Sequence, residues 1–292
     1  MASTKPKILI QLDTDPQPSV FDAVVAVDSG AEQLFRHGGV TPANVRELVY
    51  GALFTRGPAD LSSTAIFVGG SNVAAGEALV DAVTRTFFGP FRVSVLFDAN
   101  GANTTAAAAV LATLQGAGGS LERVPVSVLA ATGPVGQRAA RLMARLGAVV
   151  SVGSRRLDRA TVAAESIRQA TGAAVIPFES PTDPDGLRTA LAGAAVVVAA
   201  GAAGISLLPA DVWQALPDLK ILIDLNAVPP LGIEGIEATD KGTERGRVRA
   251  WGALGVGATK MKIHKRAVQE LFTSNDKVLD AEQVLDIGRS LG

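Results

Sequence analysis

The stretch from Pro125 to Arg156, PVSVLAATGPVGQRAARLMARLGAVVSVGSRR, leaves few folds open to this chain. An apolar, β-branched run from Val126 to Leu129 enters a turn holding Gly133, Pro134 and Gly136; helical spacing follows from Val135 to Leu146, and Gly147 is placed to end it. A second apolar run, Val149 to Val152, comes next. A strand that turns through glycine into a helix aims unpaired backbone N–H groups and the positive end of the helix dipole at one point. A pyrophosphate can sit there if no side chain blocks it. The turn reads A-T-G-P-V-G, so Ala131 stands where the first glycine of a dinucleotide-binding G-x-G-x-x-G would be. Thr132, Gly133, Pro134, Val135 and Gly136 are the expected pyrophosphate contacts.

About twenty residues beyond the turn, where the adenosine ribose is gripped in such folds, the chain reads Gly153, Ser154, Arg155, Arg156, with no carboxylate. An Asp or Glu there would bind the 2′-hydroxyl of NAD. A hydroxyl with two guanidinium groups suits the 2′-phosphate of NADP, through charge-assisted hydrogen bonds. The expected cofactor is NADP, held by Ser154, Arg155 and Arg156, with NAD as the weaker alternative. The plainer role for the two arginines is a solvated start to the next helix.

Short β-branched or aromatic runs at 8–12, 64–68 and 92–97, and again at 126–130, 149–152, 174–178, 195–199 and 220–224, alternate with helical spacings. That alternation predicts an α/β fold with parallel sheets covered on both faces. A Rossmann-like NADP-binding domain is expected over 120–261, and a smaller N-terminal α/β domain over 1–119, with the helical patterns of 262–292 returning to it and a cleft between the two. The Gly116–Gly119 cluster is the expected hinge, and Ser19, with Asp22 three residues on, the expected start of the first helix. Ligands of open α/β sheets gather at the carboxyl ends of the strands. Ala200, Gly201, Ala202 and Ile205, after one strand, and Asn226, after the next, are therefore further cofactor candidates, although the Pro229-Pro230 turn that follows can be purely structural.

Composition removes other chemistries. There is no cysteine, hence no thiolate metal site, disulfide or cysteine nucleophile, and His37 and His264 are too far apart for a local metal motif. A net charge of −1 offers no basic face for nucleic acid. The apolar run after MASTKPK is too short for a signal-peptide core, and the longest apolar tract, Ala194 to Leu208, is too short to span a membrane. The expectation is a soluble cytoplasmic protein with a small-molecule substrate.

Segments outside the nucleotide turn carry many special residues: LDTDPQPSVFD (12–22), FVGGSNVAAGE (67–77), FFGPFRV (87–93), DANGANTTAAA (98–108), DLNAVPPLGIEGI (224–236) and WGALGVGATKMKIHKR (251–266). In this order they resemble the NADP-dependent methylene-tetrahydromethanopterin dehydrogenases of methylotrophic bacteria, a family distantly similar to the methylene-tetrahydrofolate dehydrogenases. The resemblance covers almost the whole chain. It implies oxidation of the one-carbon unit on tetrahydromethanopterin, with hydride passing to the nicotinamide, and a homo-oligomer.

It also puts Lys260 beside the pterin, where it would orient the ring: a cation placed to stabilise charge would oppose the cation that hydride loss creates. Asp15 could accept hydrogen bonds from the pterin's amino and N–H groups, or simply shape the DTDP turn. Asp22 reads as a cap. Asn103, Thr104 and Thr105 could line the floor of the cleft, the plainer reading being that Asn103 or Thr104 caps the alanine-rich helix. In the related bifunctional folate enzymes a lysine, usually following a tyrosine, serves the cyclohydrolase step. Here GALFTRG follows Tyr50 and no lysine occurs between Lys7 and Lys220, so cyclohydrolase activity is not expected. Two alternatives stay open, a methylene-tetrahydrofolate dehydrogenase and a non-catalytic NADP-binding sensor on the same scaffold.

Overall fold

The computed structural model describes residues 5–291; the first four residues of the MASTKPK segment lie outside them. In chain order the elements are β1 (Ile8–Asp13), α1 (Val20–Asp28), β2 (Gln33–His37), α2 (Arg46–Phe54), β3 (Thr64–Gly69), α3 (Val73–Arg85), β4 (Ser94–Phe97) and α4 (Ala102–Gly116). There follow β5 (Pro125–Leu129), α5 (Pro134–Arg145), β6 (Val149–Ser154), α6 (Leu157–Thr171), β7 (Val175–Glu179), α7 (Pro184–Ala190), β8 (Val196–Ala199), α8 (Ala210–Ala215) and β9 (Ile221–Asp224). The chain continues through β10 (Lys241–Arg245), β11 (Val248–Trp251), α9 (Ala253–Glu270), β12 (Val278–Leu279) and α10 (Ala281–Arg289).

Two compact units result, one of residues 1–104 with 261–292 and one of residues 105–260. The divisions fall inside α4 and α9, upstream of the Gly116–Gly119 cluster in the first case. The end of α4 goes with the second unit because Gly116 packs there: a Cβ at this position would meet Ile221 at 2.8 Å and Trp251 at 3.1 Å.

In the first unit the strand order is β12-β4-β3-β1-β2, and every neighbouring pair is parallel. β3 is buried along its whole length and β1 almost so, as the near-continuous apolar runs of a doubly covered parallel sheet require. β2 (QLFRH) is the edge and stays largely exposed. From β1 the chain moves outward on one side to β2 and on the other to β3, so the carboxyl ends of β1 and β3 flank a topological switch point. The Ser19 hydroxyl caps α1, accepting the Asp22 N–H at 3.2 Å. After α9 the chain returns: β12 adds to β4, and α10 opens with a capping box in which Asp280 and Gln283 bind each other's backbone.

The second unit's order is β10-β11-β9-β8-β5-β6-β7. From β7 to β11 all pairs are parallel, and β10 joins the edge antiparallel. Counted along the chain from β5, the six parallel strands lie in the 3-2-1-4-5-6 order of the Rossmann fold, with its switch point between β5 and β8. Fully buried valines of β5, β6 and β8 form the centre, among them Val128, Val150, Val152 and Val197.

In the returning segment Glu270 is clamped by Lys277 at 2.6 Å and by Arg266 at 2.7 Å. The hydrogen bond from Lys277 is the main reason that its carboxyl sits below the usual glutamate range. A depressed folded value means stability that is present above the unfolded-state pKa, about 4.3, and lost as the pH falls through the folded one. Glu270→Gln should therefore lower the melting temperature by about 2–4 °C at pH 7, the gap closing on acidification. Thermal melts of both proteins between pH 7 and pH 3.5 check this.

Candidate functional site

The turn after β5 has the form a pyrophosphate needs. Its left-handed residue is Ala130, with φ +52°, so Ala131 needs no positive φ and an alanine is tolerated where the pattern has glycine. The Ala131 N–H donates to the Gly153 carbonyl at 2.9 Å, tying the turn to the end of β6. Gly133 is the N-cap of α5 and Pro134 its first residue; no side chain caps this end, leaving its N–H groups for a ligand. A Cβ on Gly133 would meet only the carbonyls of Ala130 at 3.8 Å and Ala200 at 4.0 Å, so the approach is open. Gly136 serves packing instead. A Cβ there would lie 2.9 Å from the Ala131 Cα and 3.2 Å from the Ala200 Cβ, and would push α5 off the sheet. Gln137 donates to the Thr132 carbonyl at 2.7 Å and fixes the rest of the turn.

At the ends of the neighbouring strands, Ser154 is buried and its carbonyl accepts the Ser180 N–H at 2.8 Å. Arg155 is exposed. Arg156 is exposed as well, and its guanidinium is gripped side-on by Asp158, Nε to Oδ1 at 3.0 Å and Nη2 to Oδ2 at 2.5 Å. The hydrogen bond from Arg156 holds the Asp158 carboxyl below its ordinary range. On the other side of β5, Ala200 abuts the first turn of α5, Gly201 packs under Leu207, and Ala202 and Ile205 are exposed. The residues present suit a dinucleotide: an uncapped helix end, an open glycine and cationic side chains at the ribose position.

Asn226 is buried and spent on backbone. Its Oδ1 accepts the Val228 N–H at 2.9 Å and the Gly204 N–H at 3.4 Å, and its Nδ2 donates to the Pro230 carbonyl at 3.0 Å. It thus fastens the loop after β8 to the loop after β9. Beneath it Asp224, not singled out from sequence, accepts the N–H groups of Asn226 and Ile233, each at 2.9 Å. Burial pushes its carboxyl up, against the lowering effect of those bonds.

In the first unit Asp15 bridges the loops after β1 and β3 at the switch point, its two oxygens accepting the Ser71 N–H at 2.9 Å and hydroxyl at 2.8 Å. Asn103 and Thr104 are buried, and both their N–H groups run to Asp98 Oδ1; the Thr104 hydroxyl donates to Asp98 Oδ2 at 2.6 Å, and Asn103 Nδ2 to Asp280 at 2.8 Å. The cap of the alanine-rich helix is therefore Asp98, which sequence reasoning passed over. Thr105, one residue on in the second unit, is half-buried. Lys260 is half-buried on α9. The glycines before it pack on backbone: Cβ atoms at Gly252 and Gly255 would lie 2.1 Å from the Glu237 carbonyl oxygen and 1.9 Å from that of Asp240. Their smallness lets α9 start against the loop before β10. His264 is buried against Phe67, ring centroids 5.8 Å apart, with Phe21 at 6.4 Å. Among the described residues no group of three or more His, Cys, Asp or Glu could hold a metal ion, and no helix is long and apolar enough to cross a membrane.

Residues 20–100 match the family model described as methylene-tetrahydromethanopterin dehydrogenase, N-terminal. The chain is 48% identical over 285 residues to bifunctional protein MdtA of Methylorubrum extorquens, covering 98% of this chain and 99% of that one. It is 32% identical over 265 residues to the NAD(P)-dependent methylenetetrahydromethanopterin dehydrogenase of the same organism, covering 88% and 89%. The chain belongs to the methylene-tetrahydromethanopterin dehydrogenase family. Among solved structures, shikimate 5-dehydrogenase from Listeria monocytogenes, in complex with shikimate and NAD, aligns over 100% of this chain and 98% of its own, with TM-score 0.52 and 15% identity, a likeness of fold. The uncapped turn of α5 is the candidate nucleotide end of the site. Gly136→Ala should cost about 1–3 kcal/mol of stability by forcing α5 away from β5 and should weaken NADP binding at least tenfold. Denaturant unfolding and fluorescence titration of the same variant measure the two effects.

Proposed function

We propose that this protein oxidises methylene-tetrahydromethanopterin to the methenyl form by hydride transfer to NADP. The observation that carries the reading is the open glycine turn onto the uncapped N-terminus of α5, with Ser154, Arg155 and Arg156 at the neighbouring strand end. The description of the matching family model and the name of the 32% identical relative supply the substrate class. When bound, the nicotinamide supplies the hydride acceptor.

The methylene carbon lies between two nitrogens whose lone pairs stabilise the cation left by hydride loss. No proton moves in that step, so no general base is required of the chain; its residues bind, orient and exclude water. The α5 N–H groups would hold the pyrophosphate, and Arg155 with the outer edge of Arg156 the 2′-phosphate. Asn226 would act by fixing the two loops that flank the nicotinamide end. On the pterin side, Asp15 is fixed by Ser71 yet keeps carboxylate lone pairs for an amino group, while Lys260 orients the ring. Asn103 and Thr104 fix the start of α4 through Asp98. A homo-oligomer in the cytoplasm without cyclohydrolase activity completes the reading.

Initial rates of methenyl formation, followed by absorbance with methylene-tetrahydromethanopterin or methylene-tetrahydrofolate and with NADP or NAD, test it. The methanopterin substrate with NADP should turn over fastest. Arg155→Ala should raise the KM for NADP by roughly tenfold or more, the loss of a charge-assisted bond, and leave that for NAD nearly unchanged. Absence of turnover with either pterin, despite NADP binding, would reject the assignment.

A further inference from the structure

We propose that Asp158 sets how strongly this protein prefers NADP over NAD. The inference rests on the reading of residues 154–156 as the 2′-phosphate site. Asp158 stands in the first turn of α6, two residues past Arg156, and its side chain is 59% exposed. Its grip on Arg156 is side-on and takes Nε and one hydrogen of Nη2. The Nη1 edge and the second Nη2 hydrogen remain for a phosphate. Arg155 has no carboxylate partner among the described residues.

A carboxylate at the end of β6 would bar NADP. Here β6 itself ends in Ser154, with Glu179 in register on the neighbouring strand, and the carboxylate of Asp158 stands on the helix, largely neutralised by Arg156, so it permits the 2′-phosphate while still repelling it. A phosphate of charge near −2 placed about 7 Å away in water is weakened roughly three- to tenfold by that repulsion, and salt screens the effect. The 2′-hydroxyl of NAD meets no such repulsion. Asp158 thus tempers a preference that Arg155 and Arg156 alone would make steeper.

Dissociation constants for NADP and NAD, measured by calorimetry without pterin, decide the matter. Asp158→Asn should tighten NADP roughly three- to tenfold at 20 mM salt and leave NAD unchanged or weaker, and most of the gain should vanish at 0.5 M salt. The melting temperature should stay within about 1 °C, since an exposed pair contributes little to the fold. Asp158→Ser should behave the same way, which separates lost charge from any new contact of the asparagine. If Arg155→Ala abolishes the NADP preference while both Asp158 variants leave it unchanged or reduce it, the phosphate site stands and the role of Asp158 is refuted. If all three variants leave the NADP-to-NAD ratio unchanged, the phosphate-site reading falls and this proposal with it.

Discussion

Three buried carboxylates at the carboxyl ends of parallel strands hold the carboxyl edge of each sheet together. Asp13 ends β1 and accepts the N–H groups of Asp15 and Ser19; Asp98 follows β4 and accepts those of Asn103 and Thr104; Asp224 ends β9 and accepts those of Asn226 and Ile233. A parallel sheet delivers its loops to one edge with their backbone donors unpaired, and burying such donors without acceptors is costly. One carboxylate satisfies two donors at once and fixes the exit angle of the chain. The residues that reach outward, Asp15 among them, take their positions from this inner set.

This division of labour explains what the sequence disclosed. The glycine turn was legible because its geometry is local: strand, glycine turn and helix start lie within a dozen residues. The apolar runs of β3, β5, β8 and β9 were legible because both faces of those strands are covered. β2 was not, since QLFRH lies at an edge and has little apolar pattern, and neither was β10, whose KGTER sequence reads as a loop until β11 is beside it.

Side-chain roles were harder to read. Asn103, Thr104 and Asn226 are polar residues near loops, which is how ligand-binding residues look, and their hydrogen bonds to protein groups, among them Asp280, 177 residues from Asn103, and Gly204, 22 residues from Asn226, show only in the folded chain. Gly252 and Gly255 are room for the chain itself, since a Cβ at either would meet the backbone of Glu237 or Asp240. Asp158 belongs to no motif, and its pairing with Arg156 shows only in the folded chain.

The last strand of the first unit has a temporal consequence. β12 pairs with β4 only after the whole second unit has been made, and Ser94 closes on the Ser274 carbonyl across a sequence separation of 180 residues. On the ribosome the second unit can condense from contiguous chain as it emerges, whereas the first must wait with one flank of its sheet unpaired until synthesis reaches the C-terminal segment. The unit translated first is therefore the one that finishes folding last, and the interval in which β4 is an open edge is when the nascent chain is most exposed to wrong pairing.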